Sequence, residues 1–288
     1  MQPTTDRPRF LCRYYGNPIY ALDVLSERRL YHAAPSDFND PFDCRQLVSL
    51  RPGDGTNDEA WKKLLGYFGR MICEIPAYQH MNPYDVAKAA FESGNHRNEI
   101  FVKHIERQIR ELGRQVRVCC FSRSAHNVMM WWHYANKHQG VVFQFKTRHM
   151  VDTAMGTYKG QAVSYKNGAL SVEDLVKVLE LGMDKRSPEE LGRMSFATKG
   201  REWRGEEEVR FFCASDREYL RISEQALSGI ILGDKVSNEF VLQIKRAVSG
   251  WKTPPRLYKA SIDDSVSKLY IRRWQWPDDS SNDDVGRV

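Results

Sequence analysis

Glu206 and Glu208, separated by one residue and followed by Arg210, are the side chains of this 288-residue chain best placed by type and spacing to do chemistry. They lie in Trp203-Arg204-Gly205-Glu206-Glu207-Glu208-Val209-Arg210-Phe211-Phe212, which reads as a strand. Strand alternation predicts that Glu206, Glu208, Arg210 and Phe212 share one face, with Glu207, Val209, Phe211 and Cys213 on the core face. The two carboxylates would then stand about 7 Å apart. On an open face they are ordinary solvated charges. In a cleft, a carboxylate there stabilises an oxocarbenium-like centre, as in glycosidic cleavage, or holds a sugar hydroxyl. A hard cation is the third use, with Asp37, Asp40 and Asp43 joining the glutamates as in a metal-dependent hydrolase. Arg210 on the same face competes for those carboxylates, and no metal is expected.

A second stretch could form the wall of such a cleft. Cys119 to Lys146 reads as strand, polar turn, aromatic-rich helix and second strand, with two Met, two Trp, a His and a Tyr within Met129 to Tyr134. A core helix is normally built from Leu and Ala. Trp131 and Trp132 are about 100° apart on a helix, so at most one points straight into the core. Val141, Phe143 and Phe145 alternate and predict a core strand. Ser122 ends the preceding strand. His133 is expected to be a hydrogen-bonded structural histidine rather than a base, and the cysteines lack a partner that would activate them.

The elements that must position these residues follow in order. Phe10 to Tyr15 reads as a strand that carries Arg13, closed by Gly16-Asn17-Pro18, and is followed by a helix through Ala21, Leu22 and Leu25. Leu30-Tyr31-His32-Ala33 is a short strand on which alternation sends either Tyr31 or His32 outward. The turn-rich loop Pro35 to Asp43, with Asn39, Asp40 and Asp43, is anchored by Phe38 and Phe42. From about 51 to 115 the pattern turns helical, and Arg107, Arg110 and Arg114 read as a solvated helix face or a phosphate-binding patch. Gln161 to Tyr165 is a strand and Ser171 to Leu181 a capped helix. A charged linker leads on to Phe196 to Lys199; Gly229 to Gly233, Arg256 to Ala260 and Lys268 to Ile271 are further short strands, with a helix from Asn238 to Val248. One α+β domain is expected over 1–275, its helical insertion at about 51–115, and 276–288 is read as a disordered acidic tail.

A hydrophobic content of 41% supports a core, and a net charge of +6 permits a polyanionic partner without demanding one. The six cysteines form no C-x-x-C pair, which argues against a zinc site and a disulfide framework. No apolar run reaches the roughly 20 residues of a membrane helix, so no membrane partner is expected. The N-terminus lacks a secretory leader pattern, and the reducing cytoplasm is the expected compartment.

Four blocks then carry a resemblance: Asn39-Asp40-Pro41-Phe42-Asp43; Cys120-Phe121-Ser122; Met130-Trp131-Trp132-His133-Tyr134-Ala135 with Gly140-Val141-Val142; and Trp203-x-x-Glu206-x-Glu208-x-Arg210. In order and spacing, roughly from Leu11 to Ile271, they resemble the bacterial domain-of-unknown-function 2971 family. More distantly, the order of elements is similar to the ADP-ribosyltransferase superfamily. That likeness implies a small mixed or split antiparallel β-sheet core with flanking helices. It implies NAD as substrate, with Arg13 at its phosphates or ribose, Ser122 positioning the nicotinamide ribose and an aromatic from Trp131 to Tyr134 stacking on nicotinamide. His32 of the Leu-Tyr-His strand is counted with these cofactor-binding residues. Glu208 would meet the ribose 2′-hydroxyl and Glu206 would face a protein or nucleic-acid acceptor. The function so implied is ADP-ribosyl transfer or NAD glycohydrolysis, as in a toxin-like or anti-phage defence effector. A non-catalytic module binding nucleic acid or protein beside the aromatic helix is the alternative.

Overall fold

Apolar residues on both faces of Val141–Lys146, and at alternate positions of its neighbours, put these strands in the middle of one sheet. The computed structural model of the chain describes residues 8–40, 43–44, 47–48, 58–74, 76–92, 103, 107, 110–111, 113–150, 160–166, 169–170, 173, 176–177, 180, 196–214, 216–263, 265 and 268–277. In chain order the elements are β1 (Phe10–Tyr15), α1 (Pro18–Glu27), β2 (Arg29–Tyr31), β3 (Leu47–Val48), α2 (Asp58–Cys73), α3 (Pro83–Glu92), β4 (Val116–Ser122) and α4 (Val128–Tyr134). There follow β5 (Val141–Lys146), β6 (Gly160–Ala162), β7 (Ser164–Tyr165), β8 (Ala169–Leu170), β9 (Thr198–Lys199), β10 (Glu208–Ala214), β11 (Tyr219–Arg221), β12 (Leu227–Leu232), α5 (Asn238–Val248), β13 (Arg256–Asp263) and β14 (Lys268–Arg273).

The fold is α+β, built on an eight-stranded sheet in the order β14-β13-β12-β5-β1-β4-β10-β6. The sheet is larger than the small core expected. Each neighbouring pair is antiparallel except β12 and β13, which run parallel and are joined through α5. β4 and β5 both run against β1, which lies between them. The strand–helix–strand unit from Cys119 to Lys146 is therefore split by a strand from the N-terminus.

One face of the sheet packs under α1 and α5, where Leu11, Phe121, Phe143, Phe145 and Phe211 meet Leu25, Phe240 and Ile244. The other face is shared. Over Cys12, Val142 and Ile231 sits Trp131 of α4; over Val116, Val118 and Phe212 sit Leu64, Leu65 and Phe68 of α2 and Ala87 of α3. The seam between these two packed zones is where β1 and β4 separate. They share the single register pair Cys12↔Ser122, and Val118 instead exchanges backbone bonds with Ala33.

Asn127 caps α4 by accepting bonds from the amides of Met129 and Met130, at 2.9 and 3.3 Å. After the helix, Asn136, Lys137 and His138 all take positive φ, turning the chain sharply enough for Gly140 to meet β1. A Cβ at Gly140 would lie 2.1 Å from the Tyr15 carbonyl oxygen, so only glycine fits there.

Several expectations are corrected. Glu206 is not on the strand: it ends a 3₁₀ turn, Arg201–Glu206, and Glu207 is left-handed at φ 47° and exposed instead of facing the core. Simple alternation fails at that kink, and β10 begins only at Glu208. Gln161 to Tyr165 is two short strands, β6 on β10 and β7 on β9. Arg107 and Arg110 are exposed helical residues, and Arg114 pairs with Glu111 at 2.7 Å. The cap at Ser171, Pro41 and Phe42 of the loop, parts of the helical insertion and residues 278–288 of the acidic tail lie outside the described residues. All six cysteines are free, and no described helix is long and apolar enough to cross a membrane.

Trp131 is corrected too. It is fully buried in the apolar cluster on Cys12 and Val142, its Nε1 donates to the Ala125 carbonyl at 2.7 Å, and His138 stacks on it. Its neighbour Trp132 is 48% exposed. Replacing Trp131 with Ala should cost about 3–5 kcal/mol in urea unfolding, whereas Trp132→Ala should stay within about 0.5 kcal/mol.

Candidate functional site

Cross-strand register builds the site. Cys12 on β1 stands opposite Ser122 on β4, and Ser122 opposite Glu208 on β10, so the three form one row across the same sheet face. Above this row, at the seam between α4 and the α2 side, lies a cavity of about 230 Å³. Its walls include Arg13, Ser122, Met130, Tyr134, Glu206 and Glu208, with Asn39 and Phe38 from the loop and Lys199 from β9. Met130 and Tyr134 are one turn apart on α4 and present the same face.

Beneath the cavity is a buried group of charges centred on Arg210, which is fully enclosed. Its five N–H groups are all used. Nε donates to Glu208 Oε1 at 2.8 Å, and Nη2 to Glu208 Oε2 at 2.9 Å and Asp43 Oδ2 at 2.7 Å. Nη1 donates to the Phe196 carbonyl at 2.7 Å and to Cys44 Sγ at 3.2 Å. The guanidinium lies over the Phe38 ring, 5.3 Å from its centroid. The Asp43 loop, the segment before β9 and β10 are thereby joined at one side chain.

Lys199 is the second buried cation. Its Nζ stands 2.7 Å from Glu206 Oε2, 3.3 Å from Asp43 Oδ2 and 3.7 Å from Glu208 Oε2. β9 pairs with β7 in the register Tyr165↔Lys199, and Tyr165 Oη accepts the Glu208 amide at 2.7 Å. Tyr134 Oη donates to Glu206 Oε1 at 2.8 Å. Asn127, the cap of α4, donates to the Gly205 carbonyl and so fastens the helix to the turn carrying Glu206.

The electrostatics separate the two glutamates. Burial pushes the Glu208 carboxyl up, but the Arg210 charge and its two bonds outweigh this and hold it below the ordinary carboxylate value. Asp43 is held down in the same way. Glu206 goes the other way: burial dominates the attraction of Lys199, and the like charge of Glu208 adds to it, so its pKa is raised. Three carboxylates face two cations, so full ionisation leaves one excess negative charge, and the raised pKa of Glu206 relieves it. Burial raises Tyr134, with the Glu206 charge adding to that effect. Cys120, beside Glu208, is pushed well up by burial first and by that carboxylate second, which leaves its thiol protonated and unreactive.

Arg13, Ser122, Tyr134, Glu206, Glu208 and Asn39 are thus brought to one cavity; Trp131, His32, Asp40 and Asp43 are not among its lining residues. Arg13 reaches the split between β1 and β4, where it donates to Cys119 Sγ at 2.7 Å and to the Tyr31 carbonyl at 3.1 Å. Ser122 Oγ donates to the Ser124 carbonyl at 3.0 Å and accepts that residue's amide at 3.1 Å, which makes it a turn former as well as a wall residue. His32 is corrected as a cofactor contact. It is fully buried with Nδ1 3.0 Å from the Leu30 carbonyl oxygen, and burial, with the charge of Arg13, takes its pKa down to about 3. Asp40 is half-buried, while Asp43 belongs to the charge group below the cavity. Among the described residues no His, Cys, Asp and Glu side chains form a set that could hold a metal ion, and the point between Asp43, Glu206 and Glu208 is taken by the Lys199 ammonium. Sequence reasoning missed Lys199. A lysine closing the apolar Phe196-Ala197-Thr198 run just before paired glutamates was the available signal.

Residues 130–211 match the model of a family described as a protein of unknown function, DUF2971. The match runs from Met130 through Tyr134, Lys199, Glu206 and Glu208 to Phe211 and so holds most of the charge group. Asn39 to Asp43, Cys120 to Ser122 and β1 lie outside it. No curated protein and no solved structure matches the chain.

Two outcomes follow. Arg210→Met strands Asp43 and Glu208 as buried charges and should cost about 3–5 kcal/mol in denaturant unfolding, part of it recovered when Asp43→Asn and Glu208→Gln are added. Asp43 and Glu208, held below their ordinary values of 3.8 and 4.5, contribute stability that is full above about pH 4.5 and lost as pH falls through their folded values. Glu206, held above 4.5, contributes stability that is full below that pH and lost as pH rises through its folded value. Glu206→Gln should therefore remove a decline in the urea midpoint as pH rises above about 4.5 and leave the acid-side loss in place.

Proposed function

We propose that the chain is an NAD-consuming enzyme that transfers ADP-ribose to an acceptor, or to water, in the cavity above the Cys12–Ser122–Glu208 row. One observation carries the reading: Ser122 and Glu208 are direct cross-strand neighbours on β4 and β10, and Glu206 and Tyr134 line the same cavity. These are the residues to which a likeness to the ADP-ribosyltransferase superfamily assigns the ribose, the nicotinamide and the acceptor, with Arg13 in the split beside them.

The chemistry divides between the glutamates. Breaking the bond between nicotinamide nitrogen and ribose C1′ releases neutral nicotinamide and leaves positive charge on C1′. Glu208, kept ionised by Arg210, supplies fixed negative charge for that centre in a site shielded from bulk water. The attacking hydroxyl, of water or of an acceptor, loses its proton to Glu206, whose raised pKa brings it closer to neutral pH than an ordinary carboxylate. Tyr134 and Lys199 hold Glu206 in place through one bond to each oxygen. At about 230 Å³ the cavity is below the range of ~300–1,000 Å³ usual for whole-ligand pockets, which suits the nicotinamide riboside end of the dinucleotide and leaves the adenosine end outside. A toxin-like effector, acting on a protein or nucleic acid in anti-phage defence, is the setting this activity fits.

Incubating the protein with NAD should release nicotinamide, measured by chromatography, and NAD should raise the melting temperature. Glu206→Gln should slow the release by about 10²-fold or more while keeping the melting shift, and Glu208→Gln should abolish release. The reading fails if neither release nor a melting shift occurs with water, protein or nucleic acid as acceptor.

A further inference from the structure

A second cavity, of about 710 Å³, lies at the other end of β1 and shares no described lining residue with the first. Among the described residues its lining includes Arg9, Lys146, Arg148 and Arg256, the rings of Phe10 and Tyr258, and no carboxylate. Among the described residues none of the four cations is ion-paired. Arg9 lies over the Phe10 ring at 5.3 Å, and Arg148 Nε donates to His149 Nε2 at 3.0 Å. The nearby carboxylate of Glu224 is committed elsewhere, to Arg28 at 3.0 Å and to the Thr253 amide at 3.1 Å. Burial, and then the charges of Arg148 and Lys146, hold His149 below its ordinary pKa, as a positive local field would.

The strands hold this arrangement in register. Phe10 pairs with Lys146, and Gln144 pairs through Gly229 to Arg256, so these side chains rise from one sheet face. A bulge in β12 between Leu227 and Gly229 brings Ser228 to the rim, where its hydroxyl donates to the Gln144 carbonyl at 2.9 Å. Gly229 leaves the floor open, since a Cβ there would come within 3.0 Å of the Tyr258 ring and 3.4 Å of Gln144 Oε1. Thr147 donates its hydroxyl to the Pro8 carbonyl at 2.7 Å and its amide to that of Arg9 at 3.3 Å, which sets the Arg9 and Arg148 segments side by side.

We propose that this cavity binds an oligophosphate anion, with Arg9, Lys146, Arg148 and Arg256 taking its charge. Like charges gathered in a concave, half-enclosed space repel one another until a polyanion neutralises them, and the volume suits a nucleoside di- or triphosphate. The proposal is independent of NAD cleavage, because it rests on the second cavity alone. Calorimetric titration of the full chain with inorganic triphosphate and with ATP, at about 50 and 300 mM salt, reads it directly. Both should bind, more weakly at the higher salt, and adenosine should not. Arg148→Glu with Arg256→Glu should weaken both at least about tenfold, the exposed control Arg221→Glu should not, and a Gln pair serves if the Glu pair lowers the melting temperature. ATP binding tighter than triphosphate, with the difference lost in Tyr258→Ala, assigns the site to a nucleotide; equal affinities assign it to a bare phosphate chain. No heat from either anion at low salt, unchanged affinity in both folded double variants, or a single-stranded oligonucleotide binding about 100-fold tighter than ATP would each overturn it.

Discussion

The guanidinium of Arg210 is the interaction on which the rest of the candidate site depends. A fully enclosed charge is tolerated only if its hydrogen-bonding capacity is met and its charge is opposed, because each unmet demand costs kilocalories in a medium that cannot relax around it. Here every N–H has an acceptor and two carboxylates oppose the charge. Those acceptors come from three places far apart in the chain: Asp43 and Cys44 in the loop after β2, Phe196 before β9, and Glu208 on the same strand. The requirement of one side chain therefore fixes where a loop, a crossing segment and a strand end meet. That meeting point is the floor of the cavity.

The same constraint explains why two glutamates so close in sequence differ so much in character. Glu208 lies next to Arg210 on its own strand face and is chelated by it. Glu206 is displaced by the left-handed kink at Glu207 and reaches Lys199 and Tyr134 instead. Five ionisable groups in one apolar setting cannot all be charged without residual repulsion, and the imbalance falls on the carboxylate with the weaker partners. A site that needs one permanent negative charge and one carboxylate able to take up a proton is met by this asymmetry. The attachment of α4 to the turn before β10 has an equally local basis, since Asn127 caps the helix and at the same time donates to the Gly205 carbonyl.

The partial separation of β1 from β4 is the second organising feature. A continuous ladder there would bring the two strands together along their length and close the seam. With one register pair retained and Ala33 satisfying Val118, the backbone groups remain bonded while the side of Arg13 opens. The cavity lies at this seam, between the part of the sheet packed by Trp131 and the part packed by α2 and α3.

Strands such as β1, β5 and β12, helices such as α1 and α5, and the side-chain chemistry available at Ser122, Tyr134, Glu206 and Glu208 were legible in the sequence, because they rest on periodicity and residue type, which are local. Alternation placed Val141, Phe143 and Phe145 in the core correctly, and helical geometry required that only one of Trp131 and Trp132 be inward. Which one was inward was decided by packing: Trp131 fits over Cys12 and Val142, residues supplied by other strands. Local patterns also could not place the kink at Glu207, the enclosure of His32 or the role of Lys199, since each depends on tertiary packing or on a backbone conformation without a period. What the sequence determined by itself was the inventory of charges and the elements that carry them; which carboxylates Arg210 would hold, and which would be left to Lys199 and Tyr134, was decided only when Asp43, Glu206 and Glu208 were gathered around the two buried cations, because Coulombic and hydrogen-bond preferences act on separation in space and not along the chain.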